Sequence, residues 1–133
     1  MRAVFADTSF YVALFNARDV AHTRAVLAGK RLECPVLLTD FIILELGNTL
    51  SGLGLRKLFT ELVSDLRADQ NVRIVPASRD LLGRGLSLFS GRADKEWSLT
   101  DCTSFVAMKE EGLTEALTTD HHFEQAGFVA LLR

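Results

Sequence analysis

Apolar residues fall into two kinds of run along this chain. Short runs bounded by polar turn formers occur at Arg2 to Ala6, Val36 to Thr39, Val72 to Val75, Ala116 to Thr118 and Phe128 to Leu131, and each predicts a strand. Between them, Ala21 to Leu32, Phe41 to Ser51, Arg56 to Ala68, Leu81 to Phe89 and Asp101 to Glu111 carry apolar residues at helical intervals. The clearest is Arg56 to Ala68. Leu58, Phe59, Leu62, Val63 and Leu66 form its apolar stripe, and Arg56, Lys57, Glu61, Asp65 and Arg67 fill the opposite side, as in an amphipathic surface helix. Gly52 and Gly54 before it read as a helix stop and a turn, too short for an interdomain linker. Strand and helix thus alternate, which favours a sheet of parallel strands joined by right-handed crossover helices. The expected fold class is α/β: a three-layer α/β/α arrangement around a central, mostly parallel sheet of four to five strands, forming one domain over residues 1–133 without internal repeats.

Composition narrows the class further. With 48% hydrophobic and 24% charged residues, the 133-residue chain has the material for a core and lacks the low hydrophobicity of disordered segments. Its two cysteines, Cys34 and Cys102, stand in no CxxC or Cys/His spacing, so a disulfide framework or structural zinc is not expected, and both read as small core residues. No window reaches the roughly 18 consecutive apolar residues of a spanning helix. The apolar N-terminal run is interrupted by Asp7 and lacks the pattern of a signal peptide, so a cytoplasmic protein is expected. A formal net charge of -2 neither favours nor excludes nucleic acid, since clustered carboxylates can mask a basic surface elsewhere.

The candidate chemistry lies in four acids. In open parallel sheets, ligands bind outside the carboxyl ends of the strands. Asp7 in FADTSF and Asp120 in LTTDHHF each directly follow a predicted strand. Glu45, in TDFIILELGNTL, lies about one turn into the helix after the second strand, between apolar Leu44 and Leu46, and is expected to be partly buried. Asp101, in WSLTDCTSF, opens the helix that leads into the fourth strand. The strand rule supports Asp101 least, because a crossover helix is expected here to start at the other end of the sheet. If these carboxylates crowd together, each raises the pKa of the others unless cations neutralise them. An all-oxygen set selects hard ions such as Mg²⁺ or Mn²⁺, and such sites suit phosphodiester hydrolysis.

Four blocks in order carry a resemblance: DTSFYVALF, ILELGNTL, DKEWSLTDCTSF and LTTDHHFEQAGF. Together they resemble the PIN-domain family, in particular the VapC-like ribonucleases of bacterial toxin-antitoxin pairs, with the first block matching the family's opening strand and first Asp. The resemblance implies that Asp7, Glu45, Asp101 and Asp120 are the catalytic, metal-binding set, Asp101 included. It further implies Mg²⁺- or Mn²⁺-dependent cleavage of RNA, a homodimer and, for toxin members, an antitoxin protein whose peptide lies across the active-site groove. Thr8, Ser9 and Thr119 are expected to support the acids, and Asp94 is a further acid that the family often carries in this region. Arg24, Lys30, Arg31, Arg56, Lys57, Arg84 and Arg92 are candidates for holding the RNA backbone.

Each residue also has a plainer explanation. Ser98 to Asp101 is a capping-box pattern, so Asp101 could only cap its helix. Asp7 and Asp120 could be turn formers. Glu45 resists this best, since an acid on an apolar helix is rarely buried without a partner or metal. His121 and His122, adjacent and on different helix faces, read as surface or groove residues, Trp97 as a packing anchor, and Asp94, Lys95 and Glu96 as a solvated turn. Two other functions compete: a PIN-like module that binds RNA or protein without catalysis, and a Mg²⁺-dependent phosphotransfer domain of receiver or haloacid-dehalogenase type. A haloacid-dehalogenase phosphatase needs a second Asp where Ser9 stands, and the acid pair and Lys of a receiver are not evident.

Overall fold

The computed structural model of the protein describes residues 2–133. Strand β1 (Val4–Ala6) is buried at every position, as befits a central strand covered on both faces. Asp7 ends it, and α1 (Thr8–Phe15) begins at once. The sequence pattern gave no helix here and suggested a longer strand from Arg2. The reason is that TSFYVALF buries Thr8, Phe10, Tyr11 and Ala13, so it has no broad polar face for a helical period to display. The DTSFYVALF block is therefore a strand-ending Asp and a helix.

The remaining elements are α2 (His22–Arg31), β2 (Val36–Thr39), α3 (Asp40–Thr49), α4 (Arg56–Ala68), β3 (Val72–Val75), α5 (Arg79–Gly91), α6 (Leu99–Glu110), β4 (Glu115–Leu117), α7 (His121–Gln125) and β5 (Val129–Ala130). Side chains set several starts: Thr39 caps α3 through Ile42 N–H, and Ser78 caps α5 through Leu81 N–H. Gly54, at φ 87°, turns the chain between α3 and α4 in a conformation that favours glycine. The five predicted strands are all present within two residues of their expected ends. The short α7 was not predicted, because a single turn and a half carries too little periodicity.

The strands form one sheet in the order β3-β2-β1-β4-β5, and every pair is parallel. From β1 the chain steps outward to β2 and β3, then crosses back to β4 and β5. The direction reverses between β1 and β4, and the crevice above such a reversal is where open α/β sheets bind ligands. Beneath it, Phe105 stands edge-on to both Phe123 (4.9 Å between centroids) and Trp97 (5.0 Å). Trp97 is buried and its indole N–H donates to Gln125 Oε1 at 3.0 Å, so it anchors packing. Cys102 is fully buried, Cys34 is half-buried, and both are free thiols. No helix among the described residues is long and apolar enough to cross a membrane.

Helices α5 and α6 meet closely at Gly85. A Cβ there would sit 2.6 Å from Thr103 Cγ2 and 3.3 Å from the Thr103 backbone nitrogen, whereas one at Gly83 on the same helix would meet nothing within 4 Å. Gly85→Leu is therefore expected to lower stability by about 1–3 kcal/mol through overpacking. Gly83→Ala should raise it by roughly 0.5–1 kcal/mol through helix propensity. Denaturant midpoints of the two variants check this contrast, and equal shifts for both would contradict the close approach.

Candidate active site

Asp7 occupies the N-cap position of α1 without using its side chain as a cap. Instead its Oδ2 accepts hydrogen bonds from Thr118 Oγ1 at 2.8 Å and Ser9 Oγ at 2.9 Å. Thr118 follows β4 directly, and its hydroxyl oxygen also accepts the N–H of Asp120 at 3.0 Å, while Thr119 N–H donates to Ser9 Oγ at 3.1 Å. The ends of the two neighbouring strands are thus tied together through one carboxylate. On α3, half-buried Glu45 accepts a hydrogen bond from Thr8 Oγ1 at 2.6 Å.

Asp101 does cap its helix. Its N–H donates to Ser98 Oγ at 3.0 Å, and its Oδ2 accepts Ser98 N–H at 3.2 Å, a reciprocal capping box. It also faces the crevice. Helix α6 hands the chain to β4 at the amino edge of the sheet, so it runs against the strands and its first turn lies at the carboxyl edge. The expectation that a crossover helix starts at the far end had the direction reversed. Here His122 Nδ1 approaches both Asp101 Oδ2 (3.2 Å) and Asp120 Oδ1 (3.3 Å), and Asp120 caps α7 by accepting His122 N–H at 2.9 Å.

The four acids all line one cleft of about 590 Å³, with Thr8, Ser9 and Thr119 in the same wall. Three features differ from expectation. Thr118, not Thr119, touches Asp7; a threonine that continues an entirely buried strand end needs a polar partner, and that was the available signal. Asp94 is not part of the cleft wall and pairs with Arg92 through two 3.0 Å hydrogen bonds, while Asp19 and Glu96 join that wall. His122, read as a surface or groove residue, is held between two of the acids, and one ligand atom each from Asp120, His121 and His122 fall within 4.8 Å of one another.

Electrostatics follow from this packing. Burial, opposed by the Thr118 and Ser9 hydrogen bonds and reinforced by the charges of Asp101 and Glu45, pushes Asp7 up to about 6 from the 3.8 of a free aspartate. Burial and the neighbouring Asp120 also raise Asp101, against the pull of Ser98 and His122. Such crowding of carboxylates is relieved by a bound cation.

The PIN domain family model matches residues 4–129 of this chain. The chain belongs to the PIN domain family. Over 131 residues, 95% of each chain, this PIN domain is 34% identical to the 23S rRNA-specific endonuclease VapC20 of Mycobacterium tuberculosis, in each of two strains. Its fold is similar to the crystal structure of Mycobacterium tuberculosis VapC20, described as a Sarcin-Ricin loop cleaving toxin, with a TM-score of 0.86 and 27% identity, covering 95% of this chain and 96% of that one. FitAcB from Neisseria gonorrhoeae shares the fold at a TM-score of 0.68 and 20% identity, over 96% and 94% of the two chains.

A carboxyl with a raised folded-state pKa binds protons on folding, so the protein loses stability as pH rises through the interval from 3.8 to about 6. In a PIN domain stripped of metal by EDTA, Asp7→Asn is expected to raise stability at pH 7–8 by up to about 3 kcal/mol. The gain should shrink as pH falls toward 4. Denaturant midpoints across pH check it; a variant less stable than wild type at pH 8 would mean that Asp7 is not a strained charge.

Proposed function

We propose that this protein is a metal-dependent endoribonuclease, the toxin of a toxin-antitoxin pair, which hydrolyses RNA phosphodiester bonds at the acid cleft. The observation that carries it is the convergence of Asp7, Glu45, Asp101 and Asp120 at the β1/β4 reversal, with hydroxyls or main-chain N–H groups fixing each acid. A binding module has no need of crowded carboxylates, which cost stability where they serve no cation. The kinship with VapC20 makes ribosomal RNA, and its sarcin-ricin loop first, the substrate to try. An antitoxin partner, a homodimer and a cytoplasmic location belong to the same proposal.

The residues suit a divalent ion. Asp7, Glu45, Asp101 and Asp120 would hold Mg²⁺ or Mn²⁺, since hard ions prefer carboxylate oxygen, and His121 and His122 beside them add nitrogen donors that Mn²⁺ tolerates better than Mg²⁺. Such an ion supplies Lewis-acid activation of water and neutralises charge on the scissile phosphate. The chain's own part is to keep the acids ionised and aimed. Thr118 and Ser9 both bind Asp7 Oδ2, which fixes the carboxylate plane. Ser98 and the His122 imidazole do the same for Asp101. No side-chain nucleophile is required.

Purified protein in Mn²⁺ or Mg²⁺ is expected to cut 23S rRNA, or failing that a member of a mixed RNA panel, and to stop in EDTA. Partners that only orient metal ligands are worth roughly 10–100-fold, so Asp7→Asn and Asp101→Asn should each cost more than about 100-fold. Ser98→Ala should lose about 1 kcal/mol of stability from its cap yet keep most of the cleavage. Cutting that survives Asp101→Asn would leave that residue a helix cap alone. RNA binding that persists without metal and without cleavage would favour the non-catalytic module.

A further inference from the structure

The cleft presents a difficulty for its substrate. Asp19 and Glu96 join the four site acids in its wall, so a polyanion meets six carboxylates. An ion at the site offsets the charge locally, but the phosphates on either side need cations of their own. Several basic side chains are committed elsewhere. Arg84 pairs with Glu110 at 2.7 Å, Lys57 sits 4.0 Å from Glu61, and Arg56 donates to the Ser51 carbonyl at 2.9 Å. Lys30 and Arg31 occupy the last turn of α2, which leads to the start of β2 at the sheet edge remote from the cleft.

Two hollows adjoin the cleft, each sharing a different part of its wall. One, of about 380 Å³, shares Asp19 and Thr119 with it and is lined by Arg24 and Arg133. The other, of about 460 Å³, shares Glu96 and is lined by Arg92 and Lys95. In each hollow one cation is already engaged: Arg133 with Glu124 at 2.6 Å, and Arg92 with Asp94 while lying 5.1 Å over the Trp97 ring. Among the described residues, Arg24 and Lys95 have no carboxylate within 4.0 Å. Arg24 is exposed, and Lys95 is half-buried with its hollow open beside it.

We propose that a single RNA strand crosses the cleft from one hollow to the other, with one flanking phosphate held by Arg24 and another by Lys95, so that the scissile bond is centred over the acids. This rests on the nuclease assignment of the cleft. The two cations act on substrate position and take no part in bond breaking.

The test is the salt dependence of cleavage of a labelled RNA in Mn²⁺ by Arg24→Gln, Lys95→Gln and the double variant, with Arg67→Gln as a control in the last turn of α4, which leads to the start of β3 and lines neither the cleft nor its hollows. Each cleft-side variant should raise KM roughly fivefold with kcat at saturation unchanged and lower the salt slope of kcat/KM by about one, and the double variant should show both effects. Arg24→Lys and Lys95→Arg should restore most of the loss, and Arg67→Gln should match wild type. If wild type cuts RNA while KM and slope are unmoved in both variants, or Arg67→Gln loses as much, the path is wrong and the nuclease stands. If wild type cuts no RNA, the nuclease assignment fails and takes the path with it.

Discussion

Asp7 is a carboxylate buried where the sheet changes direction, and the surrounding architecture answers to that one charge. Only 5% of its surface is exposed, so it depends on donors that the fold brings to it. One comes from the first turn of the helix it opens, Ser9, and one from a strand end more than a hundred residues later, Thr118. Those two hydroxyls partly offset the cost of burial, and the pKa of about 6 shows that they do not cancel it. What remains is a site under electrostatic tension.

The same economy recurs around the cleft. Asp101 closes a capping box and faces its fellow acids with the same carboxylate, so helix initiation and site assembly share one side chain. Asp120 caps α7 and, through that short helix, fixes where the His122 ring lies. Asp7, Asp101 and Asp120 are therefore placed at element boundaries, while Glu45, inside α3, is held by the Thr8 hydroxyl. This keeps the cleft ordered although its walls come from four separate parts of the chain.

The α/β class, all five strands and the five longer helices other than α1 were legible, because periodicity survives wherever an element has one buried and one exposed face. It failed at α1, wrapped in core on most sides, and at α7, too short to show a period. Asp7 and Asp120 could be located from strand ends alone. Asp101 could not, since its helix was assigned the wrong direction and its capping motif offered a complete local explanation; the PIN resemblance supplied what local reasoning lacked. Thr118 was passed over for Thr119, although burial of a hydroxyl at the end of an apolar strand was the better clue. The Arg84–Glu110 pair is a tertiary fact with no sequence signature, whereas Lys57–Glu61 is an i,i+4 pair within α4 that spacing alone could have shown.

The central place of β1 also governs when the site can exist. Its pairing with β4 joins Phe5 to Ala116 and Ala6 to Leu117, and Thr118 reaches Asp7 across an interval of 111 residues. During synthesis, β1, β2 and β3 can pair as they emerge, but the crevice has only one wall until the last two strands leave the ribosome. A chain cut short before Thr118 retains three of the four acids and none of the β4 end that aligns them. The cleft is thus completed last, by the part of the chain that is made last.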